Sequence, residues 1–521
     1  MKIRIFSERA DNSFFRSFLR TFLALFTLSF CLFAAFITLP RESFVSDSLV
    51  KILQAKGWVE SGFQSQEVHY LGKPIDPDFN YFLIGTATSR SGEKIAPFPF
   101  SNTILSAPFV ALGLPEGILY FSAFLFWIYL IILHKISNEY LIPIAAMIGT
   151  PLLHHFLSFS DVSIAATLVL LGISFLLSER SEFLTANRFF YFYSGVLIGI
   201  ACWFRPEVII FTFSFLFSFF VISLSRSKKI EFENSLKGFL FAFGFLILFS
   251  AFVIYNSIHY DSLLGPRVAS NHSILNFDWL TKISSIRSLL VSGNGRVGFF
   301  GYSPWYLFVI GFCIWNWNKI LESSRIWILC FITNLTLVCI LTPNDSNIDW
   351  GSRYFTCSAF IPLLLIKEVI GIKDIKPMFQ KFTLAVFGVL ILISLNTNQK
   401  VIRTMRKISQ QLAQIQSEIP WDNSKVFVTH KNHIANTLGM NYFDQTILLL
   451  AEPEDLDTII SRNRRLRFVL IEDIFDRSLS EFAKDQLKDR YTISEIKKED
   501  KNPIRITELT PKRLDNRKDR E

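Results

Sequence analysis

The sequence predicts an α-helical polytopic membrane protein with a small α/β domain near its carboxyl end. The chain has 521 residues, of which 50% are hydrophobic and only 19% are charged, and phenylalanine alone occurs 56 times. Its mean hydropathy is +0.36. Apolar runs long enough to cross a hydrocarbon core, roughly 20 residues each, recur through the first three quarters of the chain. Beyond them the pattern changes to short β-rich runs that alternate with amphipathic helices, which is typical of an α/β domain.

About eleven apolar segments have the length and composition of membrane-spanning helices. They are 21–39, 118–134, 141–157, 162–177, 189–204, 208–224, 238–255, 302–317, 327–341, 355–372 and 382–395. Segment 103–112 is apolar but short, and Pro108 and Pro115 bracket its end. We therefore expect an interfacial or re-entrant helix there.

Lysine and arginine in the short connections set the expected orientation. The segment 1–20 is basic, and strict alternation places every other basic connection on its side of the membrane. The positive-inside rule then makes the amino terminus cytoplasmic. With eleven spans, the region that follows the last span lies outside the cytoplasm. The first span is expected to be a signal-anchor, because no small residues form a cleavage site after it.

Four regions follow from this organisation. They are a cytoplasmic segment 1–20, a transmembrane domain 21–396 with a large first external loop 40–102, a soluble α/β domain 397–510 and a disordered tail 511–521. An amphipathic helix, 402–415, leads out of the membrane. In the soluble domain, strands are expected at 425–429, 446–450 and 467–471, and helices at 453–461 and 479–489. We expect this domain to dock an acceptor or to cap the membrane site.

The net charge of +9 lies largely in the cytoplasmic connections and at the chain ends. It indicates topology and contact with anionic lipid, and it does not indicate nucleic-acid binding.

Unusual polar residues gather on the expected outer face. They are Asp47, His154, His155, Asp161, Arg205, Glu207, Asp261, Arg267, Asp345, Asp349, Trp350, Arg353 and Tyr354. Charges at the ends of apolar spans are costly and need a partner or a purpose. Their common side predicts a site that opens to the outside.

The order of these landmarks resembles the GT-C superfamily of polyprenyl-phosphate-sugar-dependent glycosyltransferases, which includes bacterial protein mannosyltransferases and aminoarabinose transferases. The matching motifs are Ser46-Asp47-Ser48, Ala96-Pro97-Phe98-Pro99-Phe100, Ser160-Asp161, Gly195 and Gly199 before Arg205-Pro206-Glu207, Gly265-Pro266-Arg267, and Trp350-Gly351-Ser352-Arg353-Tyr354. The resemblance covers roughly residues 20–370.

The resemblance implies a GT-C-like fold in a bacterial inner membrane, with Asp47 as the catalytic carboxylate on the periplasmic face. It implies a polyprenyl-phosphate sugar as donor, a glycan, lipid or protein as acceptor, and membrane lipid as surroundings. The external loop departs from the family, since no second acid stands beside Asp47. This departure argues against a tightly bound divalent cation, and Mg²⁺ or Mn²⁺ stays the open alternative; no metal-ligating residue is assigned.

The chemistry of such a donor fits the residues. A departing phosphate is already ionised, so it needs positive charge, and one carboxylate suffices as base for the incoming hydroxyl. Glycoside hydrolysis would need a carboxylic acid as well. The expected roles are catalysis with inversion by Asp47 and Asp161, binding of the donor phosphate by Arg353, Arg205 and Arg267, and substrate positioning by His154, His155, Glu207, Trp350 and Tyr354.

Other interpretations of these residues and of the function stay open. Asp47 is compatible with a solvated loop position, Arg353 with an ion pair to Asp349 or Asp345, and Trp350 and Tyr354 with an interfacial aromatic belt. A secondary transporter would also collect charges at helix ends. A transporter would place them nearer mid-span, within repeated broken helices. A flippase or polymerase of lipid-linked glycans would share the lipid-linked substrate, but it would need a large central external loop, and here the large loop is the first one.

Overall fold

The computed structural model describes residues 13–38, 40–177, 188–227, 232–272, 279–293, 295–342, 344, 351–371, 377–496 and 503–512. The helices are α1 (Ser13–Ile37), α2 (Ser46–Glu60), α3 (Phe100–Ala111), α4 (Gly117–Ser137), α5 (Leu141–Gly149), α6 (Leu152–Leu157), α7 (Asp161–Leu177), α8 (Arg188–Cys202), α9 (Val208–Ser227), α10 (Phe232–His259), α11 (Pro266–His272), α12 (Trp279–Leu290), α13 (Phe299–Tyr302), α14 (Trp305–Trp315), α15 (Glu322–Leu341), α16 (Phe360–Gly371), α17 (Pro377–Glu418), α18 (Asn432–Thr437), α19 (Asp455–Arg462) and α20 (Ser478–Gln486).

The strands are short until the carboxyl-terminal part of the chain. They are β1 (Ala87–Thr88), β2 (Lys94–Ile95), β3 (Ser292–Gly293), β4 (Arg296–Val297), β5 (Lys425–Thr429), β6 (Thr446–Leu449), β7 (Arg467–Asp473), β8 (Tyr491–Ile496) and β9 (Ile504–Pro511). Single 3₁₀ turns lie at Pro40–Ser43, Arg353–Ser358 and Gly439–Phe443.

The chain forms two compact units. The helical unit comprises Met1–Thr38, Gly117–Tyr255 and Asn271–Thr404, and the mixed unit comprises Leu39–Glu116, Asn256–Ser270 and Met405–Glu521. The mixed unit therefore combines the first large loop, a short segment around α11 and the carboxyl-terminal sheet.

The apolar character of the helical part agrees with the sequence. Within the described residues, five helices are long and apolar enough to span a membrane, namely α4, α9, α10, α15 and α17. Shorter apolar stretches are Thr21–Ile37 of α1 and the helices α7, α8 and α14. The mostly helical fold with apolar helices is confirmed, and the number of eleven spans stays a prediction.

Close helix packing in the helical unit uses glycine. A Cβ atom on Gly195 of α8 would lie 2.1 Å from the Phe241 carbonyl oxygen of α10, and one on Gly244 of α10 would lie 2.3 Å from the Phe192 carbonyl oxygen. A Cβ on Gly199 would lie 2.7 Å from Leu248 Cβ. Small residues at this spacing let two helix backbones approach closely.

The predicted span 141–157 is interrupted, which corrects the expectation of one continuous helix. Helix α5 ends at Gly149, Thr150 is extended (φ −135°, ψ 161°), and α6 starts after Pro151. Proline has no N–H to donate to an earlier carbonyl, so the helical hydrogen-bond ladder stops here.

Side chains from distant segments donate hydrogen bonds to the carbonyl groups at this interruption. Asn398 of α17 donates from Nδ2 to the carbonyls of Ile148 (2.8 Å) and Thr150 (3.1 Å). The Gly149 carbonyl accepts from Ser303 Oγ (2.9 Å) and Trp305 Nε1 (2.7 Å). An interrupted helix in an apolar surrounding is tolerated only with such partners.

The last predicted span, 382–395, and the amphipathic helix 402–415 belong to one continuous helix. Helix α17 runs for 42 residues without a break. The sequence contains no proline between residues 378 and 418 and only one glycine, Gly388, so nothing stops the helix where it turns from apolar to polar.

The first external loop is folded. Helix α2 packs against α3, and Leu49, Ile52 and Leu53 of α2 are fully buried. The short helix expected at 103–112 is α3, which begins three residues earlier. Helix α2 itself was not expected, because its sequence mixes polar and apolar residues in a stretch interpreted as a loop.

The carboxyl-terminal sheet has the strand order β6-β5-β7-β9-β8. Strand β5 pairs in parallel with both β6 and β7, whereas β9 is antiparallel to β7 and β8. Strands β5, β6 and β7 confirm the three predicted strands. The run Phe468–Ile471 has no exposed side chain, as in parallel strands covered on both faces.

Candidate active site

Asp47 lies in the first turn of α2, not in an open loop. The residue before it, Ser46, has φ +48°, a left-handed conformation that is unfavourable for a residue other than glycine. The Val45 N–H donates to Ser48 Oγ (3.1 Å), and that hydroxyl donates to the Val45 carbonyl (2.8 Å). These bonds fix the start of the helix, so Asp47 is held half-buried at the positive end of the helix dipole.

Lys51 follows Asp47 by one helical turn, so the two side chains share a face of α2. Lys51 is only 3% exposed. Its Nζ lies 4.9 Å from the centre of the Phe98 ring, and the guanidinium carbon of Arg267 lies 5.4 Å from the centre of the same ring. Arg267 is 8% exposed. A buried cation of the helix that carries the candidate acid and a second one from α11 therefore lie close to the same aromatic ring.

The segment that carries Arg267 is held in the mixed unit by specific contacts. Gly265, just before α11, has φ +86°, and a Cβ there would lie 3.0 Å from Asn256 Oδ1. Tyr260 donates from its hydroxyl to Gln66 Oε1 (2.7 Å). Glycine at this position lets the turn close onto Asn256 and positions α11.

A second cluster lies in the helical unit around Arg205. Arg205 is 3% exposed, and its Nη1 donates to Asp161 Oδ2 at 3.0 Å. Its Nη2 lies 3.4 Å from Glu207 Oε1. Asp161, the first residue of α7, is 1% exposed. One buried guanidinium is thus held between two carboxylates, which makes a strong positional restraint at the starts of α7 and α9.

Tyr354 connects this ion pair to Arg353. The guanidinium carbons of Arg205 and Arg353 lie 5.8 and 6.0 Å from the centre of the Tyr354 ring. The Tyr354 hydroxyl donates to Asn344 Oδ1 (2.9 Å). Ser352, immediately before Arg353, has φ +52°. Asp47 and Arg353 are therefore each preceded by a serine in a left-handed conformation, which is a form of strain that concentrates at functional sites.

The 3₁₀ turn that contains Arg353 rests on the interrupted helix. Gly351 has φ +73°, and a Cβ there would lie 2.3 Å from Pro151 Cβ. Pro151 precedes α6, which carries His154 and His155 with ring centres 5.2 Å apart. His155 is buried, with 3% exposure. The interruption of the predicted span thus presents the two histidines beside the turn.

The predicted site residues fall into the two units as follows. Asp47 and Arg267 belong to the mixed unit, whereas Asp161, Arg205, Glu207, Arg353, Tyr354, His154 and His155 belong to the helical unit. Trp350, Asp345 and Asp349 lie outside the described residues. Lys51 was missed from the sequence, although its spacing of four residues from Asp47 would have drawn attention to it had α2 been expected.

Among the residues that the structure describes, no group of three or more histidine, cysteine, aspartate or glutamate side chains is arranged to hold a metal ion. The chain matches no protein-family model and no curated protein sequence.

Proposed function

We propose that the protein is a glycosyltransferase that moves a sugar from a polyprenyl-phosphate donor to an acceptor hydroxyl with inversion at the anomeric carbon. The observation that supports this most is the arrangement in the mixed unit. Asp47 occupies a strained helix start, and two buried cations, Lys51 of the same helix and Arg267, lie close to the Phe98 ring.

The reaction needs a base and an anion site, and the arrangement supplies candidates for both. The acceptor oxygen forms the new bond to the anomeric carbon, and its proton passes to the Asp47 carboxylate. The bond from that carbon to the phosphate oxygen breaks, and the phosphate departs with the electron pair. Lys51 and Arg267 would stabilise the charge on the departing phosphate through charge-assisted hydrogen bonds.

The sequence also assigns roles to the cluster in the helical unit. Since Arg205 already holds Asp161 and Glu207, we assign it to orienting Tyr354 and Arg353 and not to direct phosphate binding. Arg353 stays our candidate, from the sequence, for binding phosphate. His154 and His155, with Glu207, Tyr354 and Trp350, stay candidates for positioning the sugar.

We further propose the membrane arrangement that the sequence predicts. It has eleven spans in a bacterial inner membrane, a cytoplasmic amino terminus, and a periplasmic active site and carboxyl-terminal sheet. The five long apolar helices support part of it. A donor for that face has to arrive in the membrane, and a polyprenyl phosphate does so.

The experiment that tests this proposal uses the purified protein in nanodiscs with a panel of polyprenyl-phosphate sugars, radiolabelled in the sugar. A covalent glycosyl product with inverted anomeric configuration supports transfer. Movement of intact donor between leaflets without a covalent product would instead identify a flippase or transporter.

A further inference from the structure

The carboxyl ends of β5 and β7 form a polar edge on the small sheet. Strand β5 is the first of the three parallel strands and lies between the other two. The connections after β5 and β7 therefore leave in different directions. In open α/β sheets, ligands bind in the crevice that this topology creates, outside the carboxyl ends of the strands.

Side chains that follow the two strands meet at this edge. His430 and Lys431 come directly after β5, and Asp476 and Ser478 come soon after β7. Asp476 Oδ2 lies 2.8 Å from Lys431 Nζ and 3.2 Å from His430 Nε2. Ser478 Oγ lies 2.9 Å from the same His430 nitrogen.

The second observation at this edge concerns Nδ1, the other ring nitrogen of His430. The His430 side chain is only 5% exposed, and its Nδ1 is buried with no hydrogen-bond partner within the described part of the chain. Buried polar groups without a partner are rare and need an explanation, such as a ligand or an ordered water.

An exposed aromatic residue, Phe475, immediately precedes Asp476 of this cluster. Phe475 is 90% exposed, and its backbone N–H donates to Asp473 Oδ1 at 2.9 Å. Asp473 Oδ2 in turn lies 3.3 Å from His433 Nε2, and the Ile474 N–H donates to the Pro503 carbonyl at 3.1 Å. Hydrogen bonds of its backbone and of Asp473 thus hold the loop that carries this exposed ring.

The arrangement disfavours an anion and a nucleophilic serine. The N-terminal N–H groups of α20 at Leu479 and Ser480 already donate to Glu472 Oε1 (2.8 and 3.1 Å), so that helix end is not open to phosphate. Asp476 contacts the same His430 nitrogen as Ser478 does, whereas a catalytic triad would place its acid on the other nitrogen.

We propose that this edge, defined by His430, Lys431, His433, Asp473, Phe475 and Asp476, binds a saccharide. Sugar hydroxyls both donate and accept hydrogen bonds, so they suit a row of carboxylates interleaved with lysine and histidine. The apolar face of a sugar ring packs against an exposed aromatic side chain. The assignment of this saccharide to the acceptor of the transfer reaction rests on the proposed function.

The test is binding of the full-length protein in nanodiscs to an array of several hundred glycans, followed by titration of the strongest ligand. The variants Phe475→Ser and Lys431→Gln are each expected to weaken its binding at least tenfold. The matched control is Lys488→Gln, which removes an exposed lysine that follows α20 at the opposite edge of the sheet; it should bind like the native protein.

Two results would overturn the saccharide assignment. One is an array on which no glycan binds, or on which the Phe475→Ser variant binds unchanged. The other is cross-linking to lipid alone when p-benzoylphenylalanine replaces Phe475 in the presence of the array ligand, which would make the ring a bilayer contact. Because binding needs no donor, an Asp47→Asn variant should keep full glycan affinity, so failure of the transfer proposal and failure of this one are distinguishable.

Discussion

Lys51 and Arg267 place their cationic groups 4.9 and 5.4 Å from the centre of one phenylalanine ring, that of Phe98. Contact between a cation and a ring contributes roughly 0.5–2 kcal/mol. The ring thus helps to hold two cations close together on the side of α2 that carries Asp47. Two cations beside a carboxylate suit a phosphate that departs while a hydroxyl loses its proton, which is why we place the donor phosphate there.

Removing either cation should weaken donor binding. A hydrogen bond to a charged group contributes about 1.5–3 kcal/mol, so Lys51→Met and Arg267→Gln should each raise the donor KM by roughly 10- to 100-fold. Steady-state kinetics with varied polyprenyl-phosphate sugar would measure this. Lys94→Gln is the control, since Lys94 contacts only Thr88 among the described hydrogen bonds of its amine, and it should leave KM unchanged. If Lys51→Met and Arg267→Gln kept the native donor KM, as the control should, the donor phosphate would bind elsewhere.

The Asp161–Arg205 pair should behave as a coupled buried pair. Asp161→Leu or Arg205→Met alone removes one member of the pair and leaves the other member buried, which costs about 3–5 kcal/mol of unfolding free energy. The double variant Asp161→Leu with Arg205→Met should cost less than the two single losses together. Equilibrium unfolding in mixed micelles gives these values, and strictly additive losses would show that the pair is not coupled.

Asn398 should stabilise the interruption between α5 and α6. An Asn398→Leu variant leaves the carbonyls of Ile148 and Thr150 without their donor, so we expect a loss of about 1–3 kcal/mol in unfolding free energy. Asn396→Leu, on the exposed side of the same helix, is the matched control and should be nearly neutral. Similar losses in both variants would mean that the effect arises from helix α17 in general.

Asp476 should contribute to the folding stability of the carboxyl-terminal sheet, and this contribution should be lost in acid. The amine of Lys431, together with the backbone and hydroxyl of Ser478 and the ring of His430, holds the pKa of Asp476 below its ordinary value of 3.8. A depressed pKa means that the unfolded chain binds more protons near that value. The contribution is therefore fully present above pH 3.8 and is lost as the pH falls through the lower, folded-state pKa.

The measurement is the melting temperature of the native protein and of Asp476→Asn from about pH 6 to about pH 3, a window chosen to cross the ordinary carboxylate range. The native protein should melt higher at the upper end, and the difference should shrink toward the lower end. A constant difference would contradict the assigned ionisation.

The sequence predicted the elements whose pattern is local. Runs of β-branched and apolar residues predicted β5, β6 and β7, and apolar length predicted the long helices. The interruption at Thr150 was missed although Pro151 marks it in the sequence, because the apolar run continues across it. The side chains that bond the exposed carbonyl groups, Asn398, Ser303 and Trp305, are remote in the chain, so no local pattern predicts them.

The sequence predicted several residues of the candidate site, but it did not predict which of them belong to the same unit. The sequence identified Asp47 and Arg267 as polar residues on one face, but it did not indicate that both belong to the unit that contains the carboxyl-terminal sheet. Lys51 was missed since a lysine in a mixed polar segment is normally a solvated residue, whereas the folded loop buries it on α2.

The role of Asp47 is tested most directly by comparing native protein, Asp47→Asn and Asp78→Asn for sugar transfer from a labelled polyprenyl-phosphate donor. Asp78 is an exposed aspartate in the same loop, so its variant controls for the loss of charge, and equal melting temperatures would control for folding. Loss of a general base typically lowers the rate by about 10²–10⁴-fold; we expect that loss in Asp47→Asn and native rates in Asp78→Asn. Retained transfer in folded Asp47→Asn protein would contradict the account.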